Sequence, residues 1–196
     1  MVPLEGIPEL RPGDDLAQAL HEAAERAGGL EDGDVVVVAQ KAVSKVEGRV
    51  VRLADVEPSA RAVELAGPDG DPRHVEVILR ESAEVVRSRP PLVIAETRHG
   101  FVCASAGVDA SNAPEEGTLV LLPLDPDASA RGLRDRLATL ASVDVGVIVS
   151  DSFGRPFRQG TTDVALGVAE RILGVLLGVD VGGEDPARDR LLGAAL

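Results

Sequence analysis

The chain has 196 residues and a formal net charge of −13, so it can bury a substantial core as one domain or two intimate subdomains. The acidic balance argues against binding nucleic acid by neutralising phosphates. One cysteine, Cys103, excludes an internal disulfide and favours a reducing cytoplasm, and no apolar run approaches the roughly 20 residues that span a bilayer. The start lacks the basic and apolar segments of a signal peptide, so we expect a soluble, cytoplasmic protein.

The first third of the chain predicts a helix, a strand and a second helical segment. Asp14 or Asp15 caps a helix that runs to about Ala27, because the apolar residues follow a helical 3, 4 spacing before two glycines. Val35 to Ala39 reads as a doubly buried strand. The other elements predicted here are an extended loop or edge strand over residues 7–12, a turn at 32–33, a strand over 48–53 and a short helix over 58–66.

The segment after this strand contains both lysines of the chain. Of 20 basic residues, 18 are arginine, and Lys41 and Lys45 lie four positions apart, on one face if the segment begins helically. A lysine ammonium is a compact point charge suited to phosphate. Chance clustering of two residues is the alternative.

The rest of the chain predicts two more helices and several strands. Asp71 and Pro72 begin a helix whose apolar stripe includes Val75, Ile78, Leu79, Val85 and Val86 and ends at Pro90-Pro91. The further predicted elements are strands over 92–95, 101–106, 118–122 and 143–149, a helix from Asp125-Pro126 with Ala130, Leu133, Leu137 and Leu140 inward, apolar segments over 164–168 and 172–177, and a tail over 180–196 with no clear strand. This alternation gives an α/β (α+β) fold with mixed sheets and flanking helices.

Two aspartates follow predicted strands, each flanked by glycine and small hydroxyl residues. Asp109 comes after the strand over 101–106 and Asp151 after the strand over 143–149. Loops at strand ends gather ligands in α/β proteins, and carboxylates suit a hard divalent cation. The alternative is that both are turn residues that bond their own backbone.

Three other residue types have ordinary interpretations as well as functional ones. Cys103 is expected to be a buried structural thiol, and His99 a turn residue rather than a catalytic base. Arg155 and Arg158 lie in a glycine-bounded loop, where they meet an anion or are merely solvated.

Ordered motifs over roughly the first 170 residues resemble the family of coenzyme F420-0:L-glutamate ligases (γ-glutamyl ligases). The run starts at Gly6-Ile-Pro-Glu-Leu-Arg-Pro-Gly-Asp-Asp15 and ends at Thr162-Asp-Val-Ala-Leu-Gly-Val-Ala169. Between them lie Asp32-Gly-Asp-Val, Ser44-Lys-Val-Glu-Gly-Arg49, Arg80-Glu-Ser, Thr97-Arg-His-Gly-Phe-Val102, Ala106-Gly-Val-Asp-Ala-Ser-Asn112, Leu122-Pro-Leu-Asp-Pro-Asp127 and Ser150-Asp-Ser-Phe-Gly-Arg-Pro-Phe-Arg158. An ordered series of this length is more specific than any single motif.

The resemblance implies a GTP-dependent, GDP-forming ligase that adds L-glutamate to coenzyme F420-0 through an acyl phosphate, in coenzyme F420 biosynthesis. It implies Mg²⁺ or Mn²⁺, K⁺ as an additional candidate cation, and a homodimer. The family's metal ligands match Asp109, Asp151 and Ser152. Its GTP-binding positions match Ile7, Pro8, Glu9, Leu10, Gln40, Lys41, Lys45 and Asn112. Gln40 and Lys41 replace the family's common Ser/Thr character, and no residue is assigned a catalytic role.

The resemblance also implies that family members continue beyond residue 196. Similarity fades after Ala169, so we expect a ligase-like nucleotide- and metal-binding domain over 1–170 and a divergent tail over 171–196. Two alternatives to an active ligase stay open. One is a catalytically impaired homologue that binds nucleotide or coenzyme, or only dimerises, and the other is a different metal-dependent phosphoryl-transfer enzyme.

Overall fold

The computed structural model describes residues 2–111, 113, 115–154, 159–169 and 191–194. The chain forms two compact units. Unit 1 comprises Met1–Gly48, Pro123–Asp151 and Asp163–Leu196, and unit 2 comprises Arg49–Leu122 and Ser152–Thr162. The elements in chain order are β1 (Val2–Pro3), α1 (Leu16–Arg26), β2 (Val35–Ala39), α2 (Gln40–Val46), β3 (Val50–Arg52), α3 (Ala60–Ala66), α4 (Pro72–Glu81), β4 (Ser82–Arg89), β5 (Leu92–Thr97), β6 (Val102–Ala104), β7 (Thr118–Val120), α5 (Pro126–Ala141), β8 (Gly146–Gly154), β9 (Thr161–Val168) and β10 (Leu191–Ala194).

Unit 1 is built on a five-stranded sheet in the order β1-β10-β2-β8-β9. The pairs β1–β10, β10–β2 and β2–β8 are all parallel. Strand β2 lies inside the sheet, which explains its uninterrupted run of valines. Its core-facing residues Val36 and Val38 pair with Val147 and Val149 of β8, and all four are almost fully buried. Helices α1 and α5 supply apolar residues to the same core.

Helix α1 confirms the prediction made from its spacing and capping residues. The Asp15 carboxylate accepts a hydrogen bond from the Gln18 backbone N–H at 3.0 Å and one from Arg136 of α5 at 3.1 Å. Gly28 has a φ of 110° and Gly29 a φ of 83°, a conformation that favours glycine and ends the helix.

Strand β10 corrects the expectation of a tail without a strand. Leu191–Ala194 lies between β1 and β2, with Leu192 paired to Val2 on one side and Val36 on the other. Four residues carry too little alternation to identify a strand by sequence. Pairing on both sides supplies the hydrogen bonds that make this short segment a strand. The predicted apolar segment over 172–177 lies outside the described residues.

Unit 2 is antiparallel in its sheets and has its own core. Strands β3 and β7 pair antiparallel, and β4, β5 and β6 form a three-stranded antiparallel sheet. Helices α3 and α4 pack over it, and their apolar residues share a core with Val93 and Ala95 of β5. Asp71 caps α4 with Pro72 in the first turn, as predicted. The mixed α/β architecture expected from the sequence is confirmed by the two units together.

The predicted helix over 71–89 is wrong in its second half. Helix α4 ends at Glu81, and Ser82–Arg89 is strand β4, paired with β5 across the turn at Pro90-Pro91. Val85 and Val86 therefore belong to a strand, not to the stripe of Val75 and Ile78. Spacing alone misled the prediction, because the tertiary pairing with β5 decides the conformation of this exposed segment.

The segment after β6 also departs from the prediction of one strand over 101–106. Strand β6 ends at Ala104, and Ser105–Gly107 forms a 3-10 turn in which Ser105 and Ala106 have φ values of 55° and 51°. Gly107 is required here, because a Cβ would lie 2.7 Å from the Leu122 side chain. Cys103 is buried, as expected. None of the described helices is long and apolar enough to cross a membrane.

Candidate functional site

The carboxyl edge of the unit 1 sheet brings together candidate residues that are far apart in sequence. Ala39 at the end of β2 is paired with Ser150 of β8. Gln40 and Asp151 are the next residues on the two chains, so they follow neighbouring positions on parallel strands about 4.8 Å apart. Ligands of open α/β sheets bind outside this edge.

Lys45 lies on α2, the helix that directly follows β2. Its side chain is only 5% exposed, and its ammonium donates a hydrogen bond at 2.7 Å to the carboxylate of Glu9, which is 67% exposed. Both lysines lie on α2, which meets the condition under which they share one helical face, and Lys41 is half-buried. The structure therefore places one of the two lysines in a sheltered position against the loop over 7–10.

The loop over 7–10 is anchored by apolar packing, and hydrogen bonds from Arg26 hold the two residues before it. Leu10 is 2% exposed and belongs to the core of unit 1, and Ile7 packs partly against the same core. The Arg26 guanidinium donates to the backbone carbonyls of Glu5 at 3.0 Å and Gly6 at 3.2 Å. Because the Leu10 side chain is buried in the core, only its backbone is free to contact a nucleotide. Pro8 is exposed.

Gln40 is an almost fully buried amide at the start of α2. Its Oε1 accepts a hydrogen bond from the Ser44 hydroxyl at 2.9 Å, and its Nε2 is buried without a hydrogen-bond partner among the described residues. A buried donor that stays unsatisfied costs about 1–3 kcal/mol. The sequence resemblance pointed to Gln40 and included Ser44 in one of its motifs, but it did not indicate the hydrogen bond between them.

Asp109 lies in unit 2 and is held by local contacts. Its carboxylate accepts hydrogen bonds from the Ser111 N–H at 2.6 Å and the Ser111 hydroxyl at 2.9 Å. Its backbone forms a bridge with Val120 of β7. The sequence predicted that Asp109 directly follows a strand. Instead, the 3-10 turn lies between β6 and Asp109. The bond from the Ser111 N–H is of the kind that the turn interpretation predicts, and the role of Asp109 as a cation ligand stays a prediction.

Asp151 also differs from the expectation of a residue just past a strand. It lies inside β8, which continues to Gly154, and it is half-buried whereas Ser152 is exposed. The two-residue alternation of a strand places Asp151 on the face of Val147 and Val149. Strand β8 was predicted too short because the polar residues after Val149 resemble a loop in composition.

The donor chemistry of these three residues fits a hard cation. Two carboxylates and a hydroxyl are oxygen ligands of the kind that Mg²⁺ and Mn²⁺ prefer. Over the described residues, no group of three or more His, Cys, Asp or Glu side chains is arranged to hold a metal. Asp109 belongs to unit 2 and Asp151 to unit 1, and their sharing of one cation stays a prediction.

Sequence reasoning missed His74, which lies on α4 in unit 2. Burial lowers the pKa of this imidazole, and the nearby carboxylates of Asp71 and Asp109 oppose that shift more weakly. The signal available in the sequence was its position next to Val75, inside a stripe that was considered only for its apolar residues. Three further candidate residues, Asn112, Arg155 and Arg158, lie outside the described residues.

Comparison with known proteins identifies the family to which the chain is related. The sequence profile of the family described as F420-0:Gamma-glutamyl ligase matches residues 6–186. The chain belongs to this family. All predicted nucleotide and metal positions of the sequence lie within the matched residues. Membership confirms the resemblance drawn from the ordered motifs.

Archaeal coenzyme F420:L-glutamate ligases are similar to most of this chain. The protein of Methanopyrus kandleri is 54% identical over 169 residues, covering 86% of this chain and 64% of the relative. Those of Methanothermobacter thermautotrophicus and Archaeoglobus fulgidus are 43% and 45% identical, with 86% and 85% of this chain and 68% and 65% of the relatives covered. The chain thus spans about two thirds of the length of the F420-0:gamma-glutamyl ligases that it matches.

Proposed function

We propose that this chain is a GTP-dependent ligase that joins L-glutamate to coenzyme F420-0 through an acyl phosphate. The observation that carries the proposal is the 54% identity to the Methanopyrus kandleri coenzyme F420:L-glutamate ligase over 86% of the chain. The unit 1 sheet supports it, because Gln40 and Asp151 follow paired positions of the parallel strands β2 and β8, and Lys45 lies on α2, which directly follows β2.

The reaction proceeds in two displacements. A carboxylate oxygen of the acceptor attacks the γ-phosphorus of GTP, the bond to the β-phosphate oxygen breaks, and GDP leaves. The glutamate amine then attacks the carbonyl carbon of the acyl phosphate, phosphate leaves with the bonding electrons, and the amine loses a proton. Exclusion of water matters at this second stage, because an exposed acyl phosphate is hydrolysed.

Lys45 is the proposed phosphate ligand. Its ammonium is sheltered by the protein, yet its partner Glu9 is largely exposed, so a phosphate oxygen can take the place of that carboxylate. The loop over Ile7, Pro8, Glu9 and Leu10 then contacts the nucleotide mainly through its backbone. Gln40 offers a buried Nε2 donor at the same edge, next to Lys41. Asn112 is proposed for the nucleotide on the resemblance alone.

Asp109, Asp151 and Ser152 are the proposed ligands of a divalent cation, Mg²⁺ or Mn²⁺, with K⁺ as a further candidate. Such a cation offsets the negative charge that develops on phosphate oxygens during transfer. The Asp109 carboxylate is already fixed by two hydrogen bonds from Ser111, which reduces the entropy lost when it binds a cation. Both Asp109 and Asp151 are half-buried, which limits competition from water.

The test is formation of the monoglutamylated coenzyme from GTP, glutamate and coenzyme F420-0 with Mn²⁺, followed by mass spectrometry. Product and GDP in equal amounts support the ligase. GTP binding without turnover would instead support the impaired homologue, and transfer to an unrelated acceptor would support a different phosphoryl-transfer enzyme. Either of these outcomes contradicts the proposal.

We also propose a cytoplasmic homodimer. The single buried cysteine is compatible with a reducing compartment. Sedimentation of the chain at micromolar concentration should give twice the mass of 20.3 kDa. A monomer at this concentration would contradict the dimer without affecting the proposed chemistry.

A further inference from the structure

Unit 2 contains a cavity that the proposed ligase chemistry does not use. Its volume is about 380 Å³, within the range of roughly 300–1,000 Å³ typical of small-molecule sites. The helix α4 contributes His74, Val75 and Ile78, and the hairpin between β4 and β5 contributes Pro91 and Leu92. All of its lining residues belong to unit 2.

The wall formed by the hairpin is built by close backbone packing. A Cβ on Gly67 would lie 2.8 Å from Pro90, and a Cβ on Gly70 would lie 2.8 Å from Pro91 and 2.6 Å from the Ala66 carbonyl oxygen. The two glycines therefore let the prolines rest directly on the turn between α3 and α4. Because this wall consists of prolines packed directly against backbone, side-chain rotation in the wall cannot close the cavity.

The lining of the cavity also includes a residue in a strained backbone conformation. Ser105 lines the cavity with a φ of 55°, and Ala106 follows with a φ of 51°. Residues other than glycine rarely adopt this conformation, and such strain is concentrated at functional sites. The strain alone identifies no ligand, but it marks the turn that carries a hydroxyl to the cavity.

His74 provides the polar group on which recognition depends. Its Nε2 is buried and has no hydrogen-bond partner among the described residues. Burial lowers the pKa of the imidazole, so the neutral form is favoured near pH 7. A neutral imidazole has one donor and one acceptor nitrogen. A hydroxyl group is a suitable partner for either tautomer, because it both donates and accepts.

The charge around the cavity selects against anions. The Asp71 carboxylate lines it, bound by the Arg73 guanidinium at 2.7 and 3.1 Å, and these bonds hold the pKa of Asp71 below its usual range. Asp109 is also close enough to act on His74. The Arg73 guanidinium is already engaged by Asp71 and none of the lining residues is a lysine or an arginine, so a ligand carboxylate would find no cation there, whereas an apolar body would meet Val75, Ile78 and Leu92.

We propose that this cavity binds a small neutral molecule with an apolar body and one hydroxyl group, and that the His74 imidazole turns about its Cβ–Cγ bond so that Nε2, which is buried as the ring stands, meets that hydroxyl. None of the residues that line the cavity is a candidate metal or nucleotide residue, although the candidate metal ligand Asp109 is near enough to act on His74. It stands whether or not the chain is an active ligase.

The test uses three matched probes: phenol, toluene without the hydroxyl, and benzoate with a negative charge. The chain has three histidines, so long-range proton–nitrogen NMR resolves each imidazole, assigned with His21→Gln, His74→Gln and His99→Gln. Phenol should shift the His74 signals saturably and leave the other two unchanged. Toluene should bind about five- to tenfold more weakly, the usual value of one net hydrogen bond, and benzoate more weakly still.

His74→Phe provides the matched variant. It should retain toluene binding and lose the preference for phenol, whereas His21→Gln should keep both. Equal shifts of all three histidines, no saturation, or tighter binding of benzoate than phenol would overturn the proposal. If His74→Phe does not fold, the probe series on the unsubstituted chain still decides the matter, because its three outcomes need no variant.

Discussion

The candidate residues of unit 1 and unit 2 are positioned in different ways. In unit 1, Gln40 and Lys45 are almost fully buried, and parallel strand pairing brings Asp151 to the same edge of the sheet. In unit 2, the Asp109 carboxylate accepts two hydrogen bonds from Ser111, two residues away, and its backbone forms a bridge to Val120. Long-range packing fixes the first set, and turn chemistry fixes the second. Substitutions in unit 1 should therefore disturb neighbours, whereas those in unit 2 should act on one side chain.

The largest expected effect tests whether both units contribute to the reaction. Asp109→Asn and Asp151→Asn should each lower ligation by about a hundredfold or more, because loss of a metal ligand misplaces the phosphates. Asp109→Asn should leave thermal stability nearly unchanged, since asparagine can still accept a hydrogen bond from the Ser111 N–H. The measurement is product formation together with thermal unfolding.

The matched controls are Asp69→Asn in unit 2 and Asp135→Asn in unit 1, two exposed acids outside the candidate site. Both should retain full activity. If Asp109→Asn is as active as these controls, unit 2 supplies no metal ligand and the proposed set is wrong.

The second prediction concerns the buried Lys45 of unit 1 and separates the role of its ammonium in GTP binding from the role of its stem in packing. Lys45→Met keeps most of the buried stem but removes the ammonium, so it should weaken GTP binding by about 1–3 kcal/mol, the range for a hydrogen bond to a charged group, with little loss of stability. Lys45→Ala should weaken binding as much and also destabilise the fold. Calorimetric titration with GTP measures the first effect.

Arg11→Ala is the control for a general loss of positive charge near the same loop. We expect less than about a threefold change in GTP affinity, because an exposed charge is screened by solvent. Unchanged affinity in both Lys45 variants would remove this lysine from the nucleotide site.

How far the sequence predicts the molecule also differs between the units. In unit 1, the Asp15 cap, the glycines after α1 and the valines of β2 were sufficient, because each signal is local and agrees with the packing. Strand β10 was missed, since its four residues become a strand only through two neighbours. In unit 2, the segment after Glu81 looked helical by spacing, but it pairs with β5.

In the candidate site, too, the sequence indicated some features and the fold alone revealed others. Sequence resemblance supplied the positions of Lys45, Asp109 and Asp151, yet it did not indicate the Glu9–Lys45 ion pair or the Gln40–Ser44 hydrogen bond. Those contacts depend on which residues the fold brings together. His74 escaped attention because its significance comes from a cavity whose walls are distant in sequence.

A third prediction compares the helix caps of the two units. Asp15 caps α1 and binds Arg136 on a distant helix, whereas Asp71 caps α4 and binds its near neighbour Arg73. Asp15→Ala should lower the free energy of unfolding by about 0.5–2 kcal/mol, the usual range for loss of a cap. Asp71→Ala should cost less, since the unfolded chain keeps part of a local contact. Denaturant unfolding of both variants measures the difference.

The pH dependence of these caps follows from the pKa shifts. Hydrogen bonds from the Gln18 backbone and Arg136 lower the pKa of Asp15, and bonds from Arg73 lower that of Asp71. A carboxyl with a depressed folded pKa stabilises the fold above its unfolded pKa, near about 4. That stability is lost as the pH falls through the folded pKa. The difference between each Ala variant and the unsubstituted chain should therefore narrow below about pH 4. A difference that stays constant down to pH 2 would assign the effect to packing.

The smallest expected effect compares two serines in the left-handed conformation. Ser142 in unit 1 ends α5 with a φ of 58°, and Ser105 in unit 2 lines the cavity with a φ of 55°. A left-handed backbone costs a residue with a Cβ about 1–2 kcal/mol, and glycine loses part of that gain through its greater freedom in the unfolded chain. Ser142→Gly and Ser105→Gly should each raise the free energy of unfolding by up to about 1 kcal/mol. The two differ in expected consequence, because Ser105 lines the cavity that we propose binds phenol, whereas Ser142 does not. Ser105→Gly should therefore gain stability and weaken phenol binding together, and Ser142→Gly should gain stability alone. A gain in stability at Ser105 with unchanged phenol binding would show that its strain belongs to the fold of the turn and not to the cavity.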